Sequence, residues 1–204
     1  MMDTSSEIAI KLPVKIKYEA LQQMINKKLV GQYVEKENEA GEATRYAQII
    51  DAEIVHSTEH PYDLDMYVGV KMLTSIFKNK IMSMVVHLST SFNSEEQKLE
   101  VSHFKIKTKT HSWLGDKFLQ VTFNSLLHEF IKKKMRLDLH QIIQQRIQKF
   151  NARLSNSIEP QKGVFLKGRI ENIRILKIEY LPEYLMIFNE IHAQGEVLLK
   201  EFPL

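Results

Sequence analysis

The sequence predicts an α+β fold: a long, strongly coiled antiparallel β-sheet wrapped around a long α-helix, with shorter helices at the ends. Three observations point there. Several segments alternate apolar and polar residues over ten or more positions, the period of a half-buried strand. Two blocks between them carry apolar residues at helical spacing. Only 7 Gly and 5 Pro occur in 204 residues, so few breaks interrupt the elements. Strands that follow one another closely and helices set apart from them are the mark of an antiparallel α+β arrangement.

The first strand is residues 8–16. Ile8, Ile10, Leu12, Val14 and Ile16 point one way, and Ala9, Lys11, Pro13 and Lys15 the other. Pro13 cannot donate a ladder hydrogen bond, which predicts an edge position. A helix follows, with Leu21, Met24, Ile25 and Leu29 on one stripe and Gly31 placed to end it. Glu35 to Thr44 reads as a polar loop.

Four strand segments come next, at 45–57, 64–78, 80–92 and 97–110, joined closely enough to be hairpins. Leu99 and Val101 are out of phase with Phe104 and Ile106, which predicts a bulge near His103. Strands this long must twist and coil. From Ser112, the spacing of Leu114, Phe118, Leu119, Phe123, Leu126, Leu127, Phe130 and Ile131 predicts a helix of about 20 residues, roughly 30 Å long. A second helix runs from Leu139 to Leu154, with Asp138 and Gln141 resembling a capping box. After a turn at Asn156 to Gly163, strands return at 164–180 and 184–200. The whole reads as one domain, 1–204.

Composition narrows function by exclusion. Cys is absent, so disulfides, thiolate metal sites and cysteine nucleophiles are out. A net charge of +3 is too small to imply nucleic acid, and no aromatic residues interleave the one basic cluster to stack bases. No apolar run approaches the ~20 residues of a membrane span. The opening MMDTSSEIAI lacks the basic-then-apolar order of a secretory leader, making a cytoplasmic location the default expectation. There is no Walker loop, no G-x-G-x-x-G and no G-x-S-x-G. No cofactor is implied.

One motif has catalytic form. His56-Ser57-Thr58-Glu59-His60 matches H-x-x-E-H, in which a helix presents both imidazoles to zinc. Here the segment ends a strand and runs into Pro61, which disfavours helical backbone at His60. A zinc-dependent hydrolase using His56, Glu59 and His60 is therefore the third choice, and a chance match is the plainer account. Lys132, Lys133, Lys134 and Arg136 form the strongest charge cluster. Cations at a helix C-terminus suit its dipole, and contact with an anionic head group is the alternative. Methionines at 66, 72, 82, 84 and 135 suit either a plain core or a surface that accepts varied apolar shapes.

The opening IAIKLPVKIKYEALQQMINKKLVG resembles the strand-then-helix start of bacterial families of uncharacterised function related to the tubular lipid-binding (TULIP-like) superfamily. MRLDLHQIIQQRIQKFNARL resembles their second such unit. GRIENIRILKIEYLPEYLMIFNEIHAQGEVLL is similar to their closing strand pair. The resemblance implies an elongated apolar groove that takes acyl chains, and it brings no catalytic residues. On the positions of this chain, Leu119, Phe123, Leu126 and Phe130 would line the groove from the helix. Met66, Val68, Val70, Met82, Met84 and Val86 would face it from the sheet. Lys132, Lys133, Lys134 and Arg136 would meet the head group.

The functional expectation is thus non-enzymatic binding of a lipid or fatty-acid-like ligand, with peripheral membrane contact as an allied role. The alternative is a scaffold domain with a filled core. Many relatives of this type are exported and contain two such halves, features this sequence does not display.

Overall fold

A computed structural model describes residues 6–37, 41–74, 79–108 and 117–200, with side chains left undescribed at 117–124. Among these described residues, three helices and ten strands follow in chain order: β1 (Ser6–Lys17), α1 (Tyr18–Leu29), β2 (Tyr33–Glu37), β3 (Ala43–His56), β4 (Leu64–Met72), β5 (Ile81–Asn93) and β6 (Lys98–Thr108). Then come α2 (Lys117–Lys134), β7 (Leu137–Asp138), α3 (Leu139–Leu154), β8 (Ile158–Gln161), β9 (Val164–Tyr180) and β10 (Tyr184–Leu199). Strand residues outnumber helical ones by more than two to one.

The strands form two antiparallel sheets. One has six strands in the order β2-β3-β4-β5-β6-β7, and the other four in the order β1-β10-β9-β8. In the first, α2 packs against both β2 and β6, which lie toward opposite edges. The sheet is therefore curled into a half-barrel. Its core is one apolar cluster made by α1, α2 and the alternate residues of β3, β4 and β5. Met66, Val68 and Val70 stand opposite Val86, Met84 and Met82 in the β4–β5 register.

This overturns the predicted architecture of a single coiled sheet around a long rod. α2 has 18 residues, about 27 Å at 1.5 Å per residue. Residues 112–116, where the longer helix was expected to begin, lie outside the described residues, as do the side chains of Leu119 and Phe123. The described apolar contacts of α2 come from Leu126, Phe130 and Ile131 with Leu127, all toward its C-terminal half. Two sheets form instead of one because β1 pairs with β10, nearly the full chain away, and draws β9 and β10 into a separate ribbon. Periodicity locates a strand and says nothing of its partner.

Many local expectations hold. β1 is an edge strand, as Pro13 suggests. Gly31 follows α1 with φ +84°, a left-handed conformation that suits glycine. Asp138 caps α3 by accepting a hydrogen bond from the Gln141 N–H at 3.0 Å. The β5–β6 register slips between Ser89/His103 and Thr90/Val101, the bulge expected near His103. β2 and β8 occupy stretches expected to be loop and turn. Residues 75–78, 109 and 110, expected to be strand, lie outside the described residues.

Candidate functional site

The groove expected between helix and sheet is closed where the structure describes it. Met66, Val68, Val70, Met82, Met84 and Val86 are all buried in the half-barrel core, and Leu126 is buried beside them. Phe130 is partly buried against the same cluster. An apolar cavity of about 60 Å³ remains near Leu21, Met24, Leu99 and Met135. That holds a few water-sized groups and not an acyl chain.

The basic cluster is partly committed. Lys134 Nζ donates to Gln32 Oε1 at 3.1 Å, and Arg136 pairs with Glu100 at 2.8 Å. Lys132 and Lys133 are exposed. The groove beside this end of α2 also contains Glu35, Glu37 and Glu129.

A larger apolar surface lies on the four-stranded sheet. Ile8, Ile10, Leu12 and Val14 share one face of β1 and are each 38–48% exposed. Their register partners on β10 are Ala193, Ile191, Asn189 and Ile187. These in turn stand opposite Ile170, Ile173, Ile175 and Ile178 on β9. Spacings of three, two and three would scatter those four residues over both faces of a regular strand. The register shifts between Ile170/Asn172 and between Ile175/Lys177 absorb Glu171 and Leu176 as extra residues, which keeps the isoleucines together. The opposite face carries Glu7, Lys11, Lys15, Arg169, Arg174 and Glu190, and is polar.

α3 forms a wall beside this face. Beyond its short pairing with β8, β9 has a free edge, and two amide side chains occupy it. Asn151 on α3 donates from Nδ2 to the Ile170 carbonyl and accepts from the Ile170 N–H at Oδ1, both at 2.8 Å. Gln97 does the same at Ile175, donating at 2.9 Å and accepting at 2.8 Å. Ile147 is buried under α3. Between α3 and β9 lies a groove of about 420 Å³, floored by Ile147, Ile170 and Ile173 and edged by Phe150, Arg146 and Arg153. None of these groove residues was singled out from the sequence as a site. The signal available was the isoleucine run of β9, half-buried at Ile170 and Ile173 and hidden from a period-two reading by the two bulges.

The chain matches the family model described as a domain of unknown function (DUF4403) over residues 3–200. It belongs to that family. No curated protein and no solved structure matches it.

The H-x-x-E-H segment of this DUF4403 domain does not converge on a metal. His56 is at the end of β3 and His60 is exposed in the following loop. Among the described residues no group of three His, Asp or Glu is placed to hold a metal ion. Glu59 instead folds over the outer face of the half-barrel. Its bond to Lys107 holds its carboxyl below the usual carboxylate range. Beneath it, buried His87 meets Asp65 through Nδ1 at 2.7 Å. His87 Nε2 lies 3.4 Å from Glu59 Oε2 without forming a hydrogen bond. Tyr62 covers the pair, its ring 5.3 Å from that of His87. With His87 shut away from solvent, the cluster ties the 57–63 loop to the sheet.

Among the described residues no helix is long and apolar enough to cross a membrane.

Proposed function

We propose that this DUF4403 domain binds an elongated apolar ligand, of lipid or fatty-acid type, along the open face of its four-stranded sheet, without acting on it chemically. The observation that carries the reading is the exposed row Ile8, Ile10, Leu12 and Val14, continued in register by half-buried Ile191, Ile173 and Ile170, while at its far end Ile187 and Ile178 pack on the half-barrel core. Contiguous exposed apolar surface of this kind marks an interaction site. From Ile8 to Val14 the row runs about 20 Å, at ~3.4 Å per residue. A fully buried methylene is worth about 0.8 kcal/mol, and a chain laid on an open face is covered on one side, so ten methylenes supply roughly 4 kcal/mol before association costs. Micromolar affinity, about 8 kcal/mol net, therefore requires a longer chain or added polar contacts. The resemblance of both ends of the chain to TULIP-like families supports the same reading. The half-barrel, its core packed, serves as the platform.

Native mass spectrometry of the purified protein tests this. A 1:1 adduct with fatty acid or phospholipid, retained or taken up on addition, is the expected result. A persistent apo mass at saturating lipid would overturn the reading and favour a scaffold domain, for which the packed half-barrel core already speaks.

A further inference from the structure

We infer that the ligand of this face is an amphiphile with an anionic head, held by Arg146, Lys149 and Arg153 on α3 rather than by the Lys132–Arg136 cluster. The inference rests on the apolar-ligand reading above and adds the chemistry of the polar end. Three observations lead to it.

First, the three cations stand at i, i+3 and i+7, which places them along one side of α3, and all three line the groove between α3 and β9. Second, they are uncompensated among the described residues. α3 carries these three cations and no Asp or Glu, whereas the four cations of β9 lie outside the groove, Lys167 and Lys177 being paired with Glu196 and Glu179. Among the described residues no acidic side chain forms an ion pair with Arg146, Lys149 or Arg153. Arg153, in the last turn, is explained by the helix dipole, but Arg146 and Lys149 are mid-helix. Third, the cations border apolar floor. The groove bottom is Ile170 and Ile173, whose rows continue across the same sheet face to Ala193 and Ile8, and to Ile191 and Ile10.

A carboxylate or phosphate at the groove would take charge-assisted, two-pronged contacts from a guanidinium, while its tail lies over the isoleucines. The α2 end offers no equivalent. Two of its four cations already have partners, and acidic residues share its groove. A trough beside a helical wall fits one chain at a time, so a single amphiphile is the occupant proposed, not a bilayer surface.

The test is calorimetric titration of the full chain at neutral pH and low salt with dodecanoate and with dodecanol, each below its aggregation concentration. Dodecanoate is expected to bind about tenfold more tightly, an advantage that shrinks as salt screens the cations. In the R146Q/K149Q/R153Q variant that advantage is lost while dodecanol affinity is unchanged. Equal affinity of the wild type for the two ligands, or a preference that survives in the variant, overturns the head-group inference and leaves the apolar reading standing. Failure of both ligands to bind overturns the apolar reading too. Binding to anionic phosphatidylglycerol vesicles without binding of monomeric dodecanoate overturns the single-chain occupant.

Discussion

Gln97 and Ile175, 78 positions apart, are joined by two hydrogen bonds: the Gln97 amide donates to the Ile175 carbonyl and accepts its N–H. The side chain does what a neighbouring strand would do. It belongs to the β5–β6 turn of the half-barrel, while Ile175 is mid-strand in the other sheet, so the amide fastens one sheet to the other. Both residues are buried. Gln22 plays the same part on β3, accepting from the Ile54 N–H at 2.7 Å and donating to the Ala52 carbonyl.

Replacing Gln97 with Ala leaves a buried N–H and C=O of β9 without partners. The expected cost is about 1–3 kcal/mol in a urea titration, with loss of hydrogen-exchange protection at the Ile175 amide. Unchanged protection there would show that the bond does not hold the two sheets together.

Gly168 and Gly195 face each other across β9 and β10. A Cβ on Gly168 would sit 2.6 Å from the Gln194 carbonyl oxygen, which is backbone and cannot swing away. Gly168→Ala is expected to destabilise by about 1–3 kcal/mol. Gly69→Ala, whose nearest contact is the Asp51 Cβ at 3.3 Å, is expected to cost less. Denaturation midpoints of the two variants decide the order.

Burial pushes the Tyr180 hydroxyl up to about 12 from 10.0, and that of Tyr18 likewise. The fold therefore favours the protonated phenol more than the unfolded chain does. Its contribution is complete below pH 10 and is lost as pH rises through about 12. For Tyr180 this amounts to up to about 2–3 kcal/mol. Stability measured against pH should fall over that window, and less steeply in Tyr180→Phe. That variant also gives up the 2.6 Å bond between Tyr180 and Thr90, so its stability is lower at neutral pH.

Ile10 is 48% exposed in the middle of the apolar row. Ile10→Lys is expected to cost no more than about 1 kcal/mol, because the residue is already half exposed and a lysine ammonium can reach water there. Ligand uptake should drop at least about tenfold as a charge enters the path of the alkyl chain. Val68→Lys, in the packed core, is expected to prevent folding instead. Melting temperature and lipid titration together separate the two outcomes.

What the sequence determined was local. Alternation from Ile8 to Ile16 specified an amphipathic strand, Pro13 its edge position, Gly31 the end of α1 and Asp138 the start of α3. Each of these is written within a few residues, since side-chain direction, backbone freedom and capping act at short range. The tertiary structure alone decided which surface was covered. The methionine and valine rows of β4 and β5 and the isoleucine row of β1 carry the same period, yet one is packed and the other open. Two bulges and two amide clips decided where the open face runs. Periodicity tells which way a side chain points; what it meets there depends on segments far along the chain.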